Sequence, residues 1–217
     1  MRVRATCICA VANTFQTWCA RLDGAALQSR SPGSHYWIVD RDWVGTHEKA
    51  QAGGIVMSSP SPRVGIAYDL HRLVEGRKLI LGGVELEFAK GPAGHSDGDV
   101  LSHAICDALL GAGGLGDIGT HFPDTDAKWK GVSSLIFLEQ TRKMLDERGC
   151  RIAHIDAVVI TERPKLTPHF PAMRAALAKA LGVAPEQINL KAKTNEGVDA
   201  IGRGEAIAAH AVATIEC

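Results

Sequence analysis

The hydrophobic and polar positions become regular only after about Pro62. Arg63 to Tyr68 alternates as a short strand. Leu79 to Leu81 and Val84 to Phe88 flank Gly82-Gly83, a two-residue turn of the kind that joins a hairpin. Asp97-Gly98-Asp99 precedes apolar residues at helical spacing (Val100, Leu101, Ala104, Ile105, Ala108, Leu109), predicting an Asp-capped helix to about Gly111 and then a glycine-rich loop. Ser133 to Arg148 is amphipathic, with Leu135, Leu138 and Leu145 inward, and stops at Gly149. A strand over Ile152 to Thr161, a helix over Pro168 to Leu181, a strand over Gln187 to Lys193 and a last small-residue strand over Ala206 to Ile215 follow. Helices and strands alternate only in part. That predicts an α+β fold, a single mixed β-sheet covered by helices on one face.

Residues 1–62 read differently. They hold three of the four tryptophans (Trp18, Trp37, Trp43), show no sustained period and end in Ser58-Ser59-Pro60-Ser61-Pro62, a linker composition. The apolar patch Cys7 to Ala12 behind Arg2 and Arg4 is short for a secretory signal, and the first 35 residues only half match an organelle transit peptide. The favoured reading is a poorly ordered N-terminal extension, with Met57 as a candidate initiator. The working domain is assigned to 63–217. Cytoplasmic residence is expected, with targeting to an organelle by the extension as the alternative.

Composition narrows the partners. The 217 residues carry 24 basic and 24 acidic side chains, a formal net charge of zero. Nucleic acid and anionic membranes usually select a basic surface, so neither is expected as the partner. A small anion held by a local cluster remains open. No apolar run approaches the roughly 18 residues that span a bilayer. The six cysteines form no CxxC pair, and their spacing suits a reducing compartment without structural disulfides.

The chemistry-bearing residues gather at element ends. Asp69-Leu70-His71 closes the first strand, where positions i and i+2 face one side and can converge on one ion. His103, on the helix behind Asp99, offers a third direction. Asp, His and His form a three-ligand set with an open position. A solvated D-x-H beside an ordinary helix histidine competes with that reading. His95-Ser96-Asp97-Gly98-Asp99 holds more polar groups than a cap needs, and the amides at this helix start could hold a phosphate oxygen. Gly111 to Gly116 matches G-x-G-x-x-G but follows a helix, so the dinucleotide reading is rejected. Gly116-Asp117-Ile118-Gly119 and Phe122-Pro123-Asp124-Thr125-Asp126 make an acidic loop, either solvated or binding hydroxyls and metal. Pro164-Lys165-Leu166, Lys193-Thr194-Asn195-Glu196 and Gly202-Arg203-Gly204-Glu205 place cations near strand ends. Each is ordinary surface alone. Together they describe a metal site handling a phosphorylated ligand.

In family order, these motifs resemble the 2-C-methyl-D-erythritol 2,4-cyclodiphosphate synthases of the non-mevalonate isoprenoid pathway. The resemblance rests on Tyr68-Asp69-Leu70-His71, His95 to Asp99 with His103, Gly116 to Gly119, Phe122 to Asp126, Arg163 to Leu166, Lys193 to Glu196 and Gly202 to Glu205. It covers essentially all of 63–217 and none of the leader. It implies a homotrimeric phosphorus–oxygen lyase with active sites between subunits. Asp69, His71 and His103 would bind zinc or another divalent transition metal. Glu196 would hold a second divalent ion, magnesium or manganese, against the diphosphate. His95 and Thr194 would stabilise the transition state. Substrate contacts would come from Asp69, Leu70, His71, His95 and Ser96. Asp117, Ile118 and Gly119 with Phe122, Pro123, Asp124, Thr125 and Asp126 would hold the methylerythritol part. Thr161, Glu162, Arg163, Pro164, Lys165, Leu166 and Thr167, with Lys193, Thr194, Asn195 and Glu196, would hold the cytidine diphosphate part, and Arg203 a phosphate. Ala200 stands where the family often carries an aromatic residue, beside an axial channel that can hold an isoprenoid diphosphate. The competing functional readings are a zinc-dependent phosphohydrolase and a non-catalytic trimeric module binding metal or isoprenoid.

Overall fold

The structure, a computed structural model, describes residues 61–217; the expected extension and the candidate initiator Met57 lie outside the described residues. Among the described residues seven strands and five α-helices follow one another. β1 (Pro62–Glu75), β2 (Leu79–Leu81), β3 (Val84–Leu86) and β4 (Lys90–Pro92) precede α1 (Val100–Gly113) and the short α2 (Ile118–His121). Then come α3 (Leu135–Glu147), β5 (Arg151–Ile160), α4 (Phe170–Leu181), β6 (Ile188–Lys193), α5 (Asp199–Gly202) and β7 (Ala206–Glu216). Five strands form one mixed sheet in the order β4-β1-β7-β5-β6, with β5 and β6 parallel and the other pairings antiparallel. β2 and β3 form a separate two-stranded sheet, so the single-sheet expectation holds only for the main layer.

β1 runs on to Glu75, past the Asp69-Leu70-His71 expected to close it, and its long antiparallel register with β7 continues to Arg72 opposite Ala206. Asp69 and His71 therefore sit within a strand, not at its end. Alternation along β1 sorts its side chains. Gly65, Ala67, Asp69, His71 and Leu73 face the helices. Val64, Ile66, Tyr68 and Leu70 face the other way and are exposed.

α1 lies across β1 and β7 with α3 packed against it, and α4 packs on α3 and β6. Its apolar residues are fully buried, from Val100 and Leu101 through Ile105 to Leu109 and Leu110. Close approach to the sheet depends on Gly65, where a Cβ would sit 1.9 Å from the Ala108 carbonyl oxygen. Asp99 caps α1 through the Ser102 amide (3.0 Å) and also accepts the Gly82 and Gly83 amides at 2.9 and 2.8 Å. Both turn glycines have positive φ, and their N–H groups point at this one carboxylate. The hairpin is thus pinned to the start of α1. At the α1 N-terminus the Asp99 carboxylate takes the Ser102 amide itself. Burial raises the Asp99 pKa, while the surrounding donors oppose the rise.

Cys150 and Cys217 form a disulfide, contrary to the expectation of reduced cysteines. The cause is register. Arg151 pairs with Glu216 across β5 and β7, so the next residues out meet each other. Their 67-residue separation conceals this in the sequence.

Candidate metal centre

Asp69 and His71 leave β1 on its helix-facing side, and His103 leaves the first turn of α1 toward them. Their donor atoms form a tight triangle. Asp69 Oδ2 is 3.0 Å from both His71 Nε2 and His103 Nδ1, and the two nitrogens are 3.2 Å apart. Donors about 2.0–2.1 Å from one tetrahedral ion lie about 3.3 Å apart, so this spacing fits a divalent metal. Among the described residues this is the group of three donors arranged to hold an ion.

Hydrogen bonds fix which atoms face the centre. His71 Nδ1–H donates to the Ala93 carbonyl at 2.8 Å, which leaves Nε2 for the metal. His103 is reversed: Nδ1 faces the centre, while Nε2 lies 2.8 Å from Ser134 Oγ and 3.0 Å from Ser96 Oγ. Burial opposes ionisation of Asp69, but its hydrogen bonds to both histidines and their charges outweigh that and hold it well below the usual carboxylate range. Burial likewise opposes a charged His71, and the hydrogen bond and charge of Asp69 reverse that and raise its pKa. A protonated His71 would pair with the Asp69 carboxylate, and a divalent ion would take that proton's place.

Other expected residues fall into two groups. Near the centre, Ser96 is buried against His103, and His95 is half-buried with its carbonyl accepting the Gly131 amide. Leu70 points to the opposite sheet face, so only its backbone is on this side, with its N–H donating to Asp69 Oδ1. The loop expected after α1 contains α2. Asp117 caps α2 by accepting the Thr120 amide and hydroxyl, and Asp126 caps a 3₁₀ turn through the Lys128 amide. Phe122 is buried, stacked on Phe137 with centroids 4.7 Å apart. Pro123, Asp124 and Thr125 continue that loop at or near the surface.

The second group gathers at the ends of β5 and β6, except for Arg203, whose loop returns to β1 and β4: the Leu73 amide donates to the Glu205 carbonyl and Lys90 Nζ to the Gly204 carbonyl. Leu70 pairs with Ala208, Ala208 with Ile160 and Ile160 with Lys193. Lys193 is thus three strand spacings, about 14 Å, from the metal strand. Glu162 accepts the Asn195 and Gly197 amides at 2.8 and 3.3 Å, and Thr161 Oγ1 donates to the Arg163 carbonyl ahead of a cis Arg163–Pro164 bond. Thr194 Oγ1 donates to Glu196 Oε1 at 2.5 Å, and Arg203 pairs with Glu205. Lys165 and Thr167 are exposed, but Leu166 is buried in the core, leaving its backbone alone for a ligand. One chain gathers these residues as a group yet does not bring them to the metal centre.

Ser134 and Asp107 lie outside the sequence motifs, and Asp97, inside one, gains a partner the motif does not show. Ser134 and Asp97 support His103 from behind. Asp107, one turn along α1 from His103, accepts the Ile118 amide at 2.6 Å and so ties α2 to the metal-bearing helix. The i, i+4 spacing from His103 was the available signal.

Fold and site together define an α+β domain with a three-donor metal centre beside a polar loop. A profile of the YgbB family matches residues 62–216, and the chain belongs to that family. A Desulfosudis oleivorans protein named 2-C-methyl-D-erythritol 2,4-cyclodiphosphate synthase is 61% identical over 153 residues, covering 70% of this chain and 91% of its own. The structure of the bifunctional IspDF from Campylobacter jejuni aligns with TM-score 0.70 and 39% identity, over 73% of this chain and 43% of that one. IspF of Plasmodium falciparum, in a CDP complex, aligns with TM-score 0.63 and 33% identity, over 72% of this chain and 96% of that one.

Proposed function

We propose that the protein converts 4-diphosphocytidyl-2-C-methyl-D-erythritol 2-phosphate to 2-C-methyl-D-erythritol 2,4-cyclodiphosphate and CMP. The observation that carries this is the Asp69–His71–His103 triangle on a chain of the YgbB family. The substrate's own 2-phosphate oxygen forms a bond to the β-phosphorus, and the bond from that phosphorus to the CMP oxygen breaks. Both reacting groups are anionic. Two unit charges 4 Å apart repel by about 4 kcal/mol at an effective dielectric near 20. Bound divalent ions would neutralise this charge and polarise the phosphoryl oxygens. Asp69, His71 and His103 would hold zinc, and Glu196 would contribute to a magnesium or manganese site on the diphosphate.

The rest falls to positioning, the main protein contribution in phosphoryl transfer. Asp117 to Gly119 and the loop from Phe122 to Asp126 would orient the methylerythritol hydroxyls. Thr161 to Thr167 with Lys193 to Glu196 would grip the cytidine diphosphate part; that a Plasmodium relative is seen in a CDP complex supports a ligand of this class. His95 and Thr194 would donate hydrogen bonds to developing charge. A homotrimer would join the two groups that one chain keeps apart. The uncovered sheet face, with Val64, Ile66, Tyr68 and Leu70 between 49% and 75% exposed, supports such assembly.

Purified protein incubated with zinc, magnesium and the CDP substrate is expected to give cyclodiphosphate and CMP in equal amounts by 31P NMR. Release of inorganic phosphate would favour a phosphohydrolase instead. Light scattering is expected to show a trimer, and Ile66→Asp a monomer; a wild-type monomer would remove the intersubunit site.

A further inference from the structure

We infer that Ser134 and Asp97 are positioning residues for the metal, forming a buried relay that sets the tautomer of His103 and thereby the affinity of the centre. The inference rests on the metal reading above and deepens it. Ser134 is fully buried just before α3, and its hydroxyl makes two short contacts. One is to Asp97 Oδ1 at 2.5 Å and the other to His103 Nε2 at 2.8 Å. A hydroxyl has one proton to give. The carboxylate has none, so Ser134 Oγ–H donates to Asp97. The remaining lone pairs of Ser134 then accept, and the His103 Nε2–H is the donor that faces them.

That assignment leaves the Nδ1 lone pair of His103 pointing at the metal position. Asp97 is held in turn by the Ser134 amide at 3.1 Å and the Asp99 amide at 3.2 Å. The carboxylate is therefore clamped to the start of α3 and the cap of α1 together. Ser96 Oγ, 3.0 Å from the same Nε2, takes the Gly98 amide and offers a second acceptor for the imidazole N–H. His71 is fixed by a backbone carbonyl, which no substitution can remove. His103 depends instead on side chains, so its basicity can be altered by mutation. A carboxylate acting through a hydroxyl makes the imidazole a stronger donor to a cation.

The test is the zinc dissociation constant of the purified full chain, measured by competition with a chromophoric chelator. Ser134→Ala is expected to weaken zinc about 10- to 100-fold. Asp97→Asn should weaken it in the same direction, and the exposed neighbour change Ser133→Ala should leave it unaltered. Wild-type binding of one zinc per chain with Ser134→Ala within twofold would overturn the relay while sparing the proposed function. A wild type that binds no zinc would overturn both. Should Ser134→Ala fail to fold, long-range 1H–15N spectra of zinc-loaded wild type decide. A His103 with metal on Nδ1 and a slowly exchanging proton on Nε2 is expected; metal on Nε2 would refute the relay.

Discussion

The metal centre and the strand-end cluster around Thr194 are built on opposite principles. At the centre every donor is oriented by something behind it: Ala93 for His71, Ser134 for His103, the Leu70 amide for Asp69. The donors themselves belong to β1 and α1, whose packing closes the core. At the strand ends the polar groups satisfy one another. Thr194 pairs with Glu196, Arg203 with Glu205, and all four side chains are exposed. Order imposed from a core survives without a ligand; order among exposed neighbours exchanges readily with water. The first region is arranged within one chain, and the second is the surface that the proposed function assigns to substrate and a neighbouring subunit.

Substitutions at the two regions should therefore differ in kind. His103→Ala should remove metal and lower kcat/KM by about 10³-fold or more, since several kcal/mol of charge stabilisation is lost. Metal analysis alongside kinetics checks this, and a zinc-replete, active variant would contradict it. Thr194→Ala should lower kcat by about 10²-fold with zinc content unchanged, the size expected for one donor to developing charge. Loss of zinc in that variant would dissolve the distinction between the regions. Glu162→Ala frees the Asn195 and Gly197 amides and should raise KM by about tenfold with a smaller change in kcat, measurable by steady-state kinetics.

The smallest effect is in pH. His71 is raised, so its contribution to the stability of metal-free protein is complete below the ordinary histidine pKa and is lost as pH rises through the raised value. Asp69 is lowered, so its contribution is present above the ordinary carboxylate pKa and is lost only as pH falls through the lowered value. Metal-free protein should thus be most stabilised by this pair between about pH 4 and 6.5. Zinc must displace the His71 proton, so its affinity should weaken on acidification by about tenfold per pH unit below that pKa. Thermal melts with and without zinc across this range check both signs.

The sequence announced the elements whose side chains have a strong period: α1, α3, α4, β5, β6 and the hairpin around Gly82-Gly83. It missed β4, α2 and α5, which are three or four residues long and carry too few positions to show one. β1 is longer than its alternating pattern, because the polar residues around His71 show no apolar period. In fact the antiparallel pairing with β7 carries the backbone onward, whatever the side chains are. Asp69, His71 and His103 were legible from i, i+2 spacing and a following helix. Ser134 and its link to Asp97 were not, because a hydroxyl joined to a carboxylate 37 residues away leaves no local pattern. The Cys150–Cys217 bridge was hidden for the same reason, since only strand register brings its ends together.

Anomalous diffraction at the zinc edge, on crystals grown with zinc, tests the centre most directly. One peak per chain about 2.0–2.1 Å from Asp69 Oδ2, His71 Nε2 and His103 Nδ1 is expected. Zinc bound elsewhere, or no peak among these three atoms, would contradict it.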